Sequence, residues 1–134
     1  MLKKLFITVG TFDGLDERDY YLITKMQKLA AGTGQELIIV RNSWQHWNLY
    51  KQMPYQTIRA RLDGVRFFSR HAVSDMGTFN NEVKTFQKIL KMIKAENVIY
   101  VAYADERNIP CRDECRKRNI PIKFITYGTV KPAK

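Results

Sequence analysis

Residues 5–20 read Leu5-Phe6-Ile7-Thr8-Val9-Gly10-Thr11-Phe12-Asp13-Gly14-Leu15-Asp16-Glu17-Arg18-Asp19-Tyr20. Leu5 to Val9 is a short apolar run of β-branched and aromatic residues, which is the pattern of a buried strand. From Asp16 the period lengthens. Leu22, Met26, Leu29 and Ala30 recur at helical spacing, and Gly32 closes the helix. A strand that turns through glycine into a helix is a natural seat for phosphate, because free N–H groups and the positive helix end point there. This junction carries acids instead, at Asp13, Asp16 and Asp19. Glu36 to Val40 is a second strand. Strand, helix and strand in so short a span predict a right-handed βαβ unit with parallel strands.

Beyond this unit the alternation continues. Asn42 to Pro54 is a long connection, followed by a short helix over Tyr55 to Gly64 and a short strand over Val65 to Phe68. Ser69 to Phe79 reads as irregular. Val83, Phe86, Ile89, Leu90 and Ile93 mark an amphipathic helix that Asn80 or Asn81 starts. Asn97 to Ala102 is a strand, Pro110 opens a helix that ends near Asn119, and Ile122 to Thr126 is the last strand. The expectation is one α/β domain over 1–134, a parallel sheet of about five strands with helices on both faces. Ligands of such sheets bind outside the carboxyl ends of the strands, where the strand order reverses.

Composition narrows the function. At 134 residues, with 45% hydrophobic and 27% charged residues, the chain has the make-up of an ordinary globule with its own core. No apolar run approaches the roughly 18 residues that cross a bilayer. The basic start is followed by an apolar segment that breaks at Gly10, too short for a secretory signal, so a cytoplasmic protein without a membrane partner is expected. The net charge is +10, which draws phosphates and nucleic acid or simply aids solubility. Its cations include Arg59, Arg61, Arg66 and Arg70, and then Arg112, Arg116, Lys117, Arg118 and Lys123. Asp113 and Glu114 interrupt the second group, which reads as a solvated helix face rather than a nucleic-acid footprint.

Cys111 and Cys115 are four apart, a spacing that suits a disulfide poorly, and neither histidine is near them in sequence, so plain buried or half-exposed thiols are expected rather than zinc. The alternative is a Cys111 thiol of lowered pKa at a helix start among arginines. The loop Trp44 to Tyr50 either stacks a base or a single nucleic-acid strand beside Arg41 and Lys51, or serves as a lid or dimer contact.

Gly10-Thr11-Phe12-Asp13 before a helix resembles the signature of the cytidylyltransferase-like nucleotidyltransferases, Gly-Thr-Phe-Asp-x-x-His-x-Gly-His. The similarity is closest to the small glycerol-phosphate cytidylyltransferases. Asn48 to Gln52, Val65 to Phe68 and Thr126-x-Gly128 also have counterparts. The resemblance implies a Rossmann-like sheet, a homodimer, and transfer of a nucleoside monophosphate to a phosphorylated or carboxylated acceptor with release of pyrophosphate. It implies a nucleotide site at Gly10, Thr11, Phe12, Asp13, Lys51, Asp105, Thr126 and Gly128, where Arg18 and Arg59, although not the family's residues, would with Lys51 neutralise a triphosphate if the chain is active.

The chain departs from the family where phosphate is handled. Asp16 and Asp19 stand in place of the two histidines, and Arg18 in place of the glycine. Ile58 falls at a helix arginine, with Arg59 adjacent. Ile125 replaces a late arginine, Val130 and Lys131 a Ser-Thr pair, and Glu106 an aromatic. Asp16 suits an N-cap and Asp19 the N3 position of a capping box, so the protein's own acids occupy the anion seat. The leading expectation is therefore a pseudoenzyme that keeps the crevice as a nucleotide-binding or interaction module. One alternative is an active, atypical nucleotidyltransferase acting on CTP or ATP, with Mg²⁺ on Asp13, Asp16 and Asp19 and with Asp16, Asp19 and Lys51 as catalytic candidates. The other is a basic nucleic-acid-binding protein that reuses the fold.

Overall fold

The computed structural model describes residues 4–42, 55–74, 81–93, 97–105 and 109–127. Among them run β1 (Lys4–Gly10), α1 (Glu17–Ala30), β2 (Gly34–Val40), α2 (Ile58–Phe68), β3 (Ala72–Ser74), α3 (Glu82–Met92), β4 (Asn97–Tyr103), α4 (Arg112–Lys117) and β5 (Ile122–Ile125). The five strands form one all-parallel sheet in the order β3-β2-β1-β4-β5. This is the Rossmann-like α/β architecture.

The strands are apolar on both faces because both are covered. Phe6, Ile38, Val40, Val101 and Tyr103 face one way, onto Leu22, Ile23 and Met26 of α1 and Leu62 and Val65 of α2. Ile7, Val9, Leu37, Ile39, Val98 and Tyr100 face the other, onto Phe86 and Ile89 of α3 and Cys115 of α4. The period of two along each strand thus sorts its side chains into two separate cores.

Two local expectations are corrected. Val65 to Phe68 is the last turn of α2 and not a strand, and α2 starts at Ile58 behind the N-cap Thr57. Ile58, Leu62 and Val65 share one helical face against the core. Phe67 is 83% exposed and Phe68 40%, so the aromatic run that mimics a strand is not buried as one. The edge strand lies instead at Ala72–Ser74, within the span read as irregular. Asn81 caps α3 and Gly32 follows α1 with φ +78°, as expected, whereas the helix expected from Pro110 is shorter and runs over Arg112–Lys117 behind Cys111. Among the described residues, no helix is long and apolar enough to cross a membrane.

From β1 the chain steps outward to β2 and β3, then returns across the sheet to β4. The connections on either side of the β1–β4 pair therefore lead in opposite directions. Their carboxyl ends, Gly10 and Tyr103, open a crevice between them.

Candidate functional site

A cavity of about 150 Å³ lies at this switch point, lined by Thr8 to Phe12, Asp19, Leu22 and Val101 to Tyr103. A larger cleft of about 500 Å³ lies at the opposite end of the sheet, by Lys4 and Asn97. That end is not where parallel sheets present their ligand-binding loops.

The loop after β1 is held in an unusual shape. Phe12 is buried and adopts φ +51°, a left-handed conformation that costs a bulky residue on the order of 1–3 kcal/mol. Its ring lies against Gly10, where an added Cβ would meet it at 2.8 Å. Asp13 fastens the loop to the entry of α2. Its carboxylate accepts from the backbone N–H of Tyr55 at 3.0 Å and of Gln56 at 3.1 Å. Gln56 returns the tie by accepting from the Gly14 N–H at 3.0 Å.

The amino end of α1 is closed by its own side chains. Asp16 is the N-cap and accepts from the Asp19 N–H at 3.0 Å. The Asp19 carboxylate accepts in turn from the Asp16 N–H at 3.4 Å, completing a capping box. Burial, and next the charge of Asp16, push the Asp19 carboxyl up to about 6.

This fixes the sign of a pH effect. A carboxyl whose pKa rises on folding favours the folded state while protonated. The benefit is complete below the unfolded value of 3.8, fades as pH climbs, and is gone above about 6. Screening at this half-buried site limits it to about 1 kcal/mol. Urea titrations from pH 4 to 7 should show that loss in the native chain and not in Asp19→Asn. An identical profile in the variant would show that Asp19 does not titrate in this range.

Arg18 points across the crevice mouth. Its guanidinium pairs with Asp105 at 2.8 and 3.3 Å and lies 3.9 Å from the centre of the Tyr103 ring. Tyr103 donates its hydroxyl to the Arg18 carbonyl. Tyr127 donates to Glu17 at 3.0 Å and meets Tyr21 edge-on. The start of α1 is thereby bracketed to the ends of β4 and β5. Arg18 holds the Asp105 carboxyl below the usual range, yet Asp105 is 70% exposed, and solvent screens such a surface pair.

Two buried arginines stand behind the loop. Arg61, 1% exposed, donates to the carbonyls of Gln56, Thr11 and Arg41 at 3.0, 2.8 and 2.9 Å, and to the Asn42 side chain. Arg41, 4% exposed, donates to Glu82 at 2.9 Å. The Tyr100 hydroxyl donates to the same carboxylate at 3.1 Å, and the Cys111 thiol lies 3.8 Å from it. Neither arginine was read from the sequence as structural. Ile58, Arg61, Leu62 and Val65 share one face of α2, and that spacing was the available signal.

The remaining expected site residues scatter. Arg59 lines a groove at the β3 edge, away from the crevice. Thr126 is exposed beyond β5. Lys51, Gly128 and the loop from Trp44 to Tyr50 lie outside the described residues. Asp13, Asp16 and Asp19 do not converge on a common point, since each carboxylate serves backbone N–H groups. Among the described residues, no group of three or more His, Cys, Asp or Glu side chains is placed to hold a metal ion.

Cys111 and Cys115 are free and buried. Burial pushes both thiols up, Cys115 to about 11, which overturns the alternative of a lowered Cys111 pKa. Glu114, expected on a solvated face, is 5% exposed and pairs with Arg118, Lys117 and Gln87. Arg41 and Arg61 are buried, but so are Glu36 and Glu114, so burial of these four leaves the net positive charge facing solvent unchanged. No protein-family model matches the chain, and no curated protein matches it either.

Proposed function

We propose that the chain is a degenerate nucleotidyltransferase-fold protein, a nucleotide-binding or interaction module that keeps the switch-point crevice and has lost nucleotidyl transfer. The supporting observation is the capping box of Asp16 and Asp19. The positions that would meet a triphosphate carry carboxylates, and these already take the N–H groups of Asp16 and Asp19 at the helix end. Phosphate oxygens brought there meet like charge, in a place where transfer chemistry needs cations. Arg18, in the first turn of α1, is committed to Asp105 and Tyr103.

The loop Gly10 to Phe12 lines the crevice, and with the Gly10 and Thr11 carbonyls already held by Arg41 and Arg61 it would meet a nucleoside through its N–H groups and the Phe12 carbonyl. A cavity of about 150 Å³ is below the roughly 300–1,000 Å³ of small-molecule sites, so a nucleoside enters only when the crevice opens further. The recognised half of the ligand is then the uncharged base and ribose.

Calorimetry with cytidine, CTP, adenosine and ATP, with and without Mg²⁺, tests this reading. CTP should bind no more tightly than cytidine, Mg²⁺ should change neither, and no pyrophosphate should appear with a panel of phosphorylated alcohols. Asp16→Ala should cost about 0.5–2 kcal/mol of stability, as a lost cap does, and leave nucleoside binding intact. Turnover, or a triphosphate bound more than about tenfold more tightly than its nucleoside, would sink the proposal.

A further inference from the structure

A second opening lies on the outer side of β3, independent of the crevice. It measures about 580 Å³ and runs between α2 and α3 along the edge of the sheet. Leu37, Val73 and Ile89 line its apolar wall, and Met92, 70% exposed, lies at its mouth. Arg59, Arg66 and Lys88 also line it, and all three are exposed. No carboxylate is among its described lining residues. Asp63 is exposed on α2 between the two arginines, but it does not line the groove. Lys84 and Lys91 extend the positive surface along α3. Apolar wall and cationic rim together match a ligand with an apolar body and an anionic head.

We propose that this groove binds a single-chain anionic amphiphile, its tail against Leu37, Val73, Ile89 and Met92 and its head group among Arg59, Arg66 and Lys88. Two observations favour a small amphiphile over a polypeptide. An added strand would pair with the open edge of β3, but Arg66 already donates to the Ala72 carbonyl there, at 3.0 and 3.2 Å. A docked helix needs a face several turns long, whereas about 580 Å³ falls within the usual range for small ligands.

Calorimetry on the full chain with submicellar octanoate, dodecanoate and dodecyltrimethylammonium tests the proposal. Dodecanoate should bind at least about tenfold more tightly than octanoate, since each buried methylene adds to affinity. The cationic detergent should not bind. Arg59→Glu combined with Lys88→Glu should weaken dodecanoate by about tenfold or more, with an unchanged melting temperature because both residues are exposed. Met92→Asp should weaken it as well, and cytidine binding should be untouched in every variant. Equal binding of the two detergents, undiminished binding in the variants, or binding to anionic lipid vesicles without binding of free dodecanoate would overturn the proposal.

Discussion

Replacing Arg61 by methionine is expected to lower the unfolding free energy by about 3–5 kcal/mol, read as a fall in the urea midpoint at unchanged slope. Methionine fills a similar space but donates nothing. The carbonyls of Thr11, Gln56 and Arg41 would then lie near the cavity left by the guanidinium, and each buried acceptor without a partner costs about 1–3 kcal/mol. Part of that loss is recovered. Burial pulls the Arg61 pKa down, and Arg41 adds to this against the opposing pull of Asp13, so the native state bears a cost for keeping the charge inside. The recovered part is the smaller one, because no substitution removes the backbone acceptors. Arg61→Lys should rescue little, since one ammonium cannot reach acceptors spread around a planar fork. A loss below about 1 kcal/mol would show that water satisfies these carbonyls as well as arginine does.

Glu82→Leu is the second large effect, about 3–5 kcal/mol, because it leaves Arg41 charged and buried without its carboxylate. The Tyr100 hydroxyl loses its acceptor in the same step. The informative measurement is the double variant Arg41→Met with Glu82→Leu. Removing both charges should recover much of the single-variant loss, because a buried pair often contributes little net stability although half of it is costly. If the double variant is as unstable as the sum of the singles, Arg41 and Glu82 act through other partners, and the ion pair is incidental.

Much of the fold was legible because its signals are local. The apolar run of β1, the turn at Gly10 and the 3.6-residue recurrence in α1 each need only neighbouring residues. So does the capping box, whose two acids are three positions apart. What failed was a competition between local signals. Val65 to Phe68 has the composition of a strand, but Ile58, Leu62 and Val65 pack as a helix face, and burial on that face outweighs intrinsic preference. Ala72–Ser74 was missed because three residues are too few to show a period.

The site was legible only where the crevice is made from one segment. Gly10 to Asp19 could be placed from the sequence. The pairing of Arg18 with Asp105, 87 residues apart, could not. The same holds for Arg41 with Glu82, 41 residues apart. Those pairs exist because the sheet order sets β2 and β4 on either side of β1, with α1 and α3 starting beside their ends, and no pattern in the chain announces it. Arg61 illustrates the remaining difficulty: a cation counted in the net charge is buried and donates to three carbonyls behind the loop.

The position of β1 has a consequence for how the chain is made. It is the middle strand, yet it is synthesised first, and its second neighbour is the fourth strand in chain order. While the ribosome is still adding the residues between Gly10 and Asn97, one flank of β1 has no native partner, and at roughly 5–20 residues per second that interval lasts several seconds or more. A nascent chain with an apolar, unpaired flank for so long is a substrate for chaperones, and stalling translation before Tyr103 should leave it prone to aggregate.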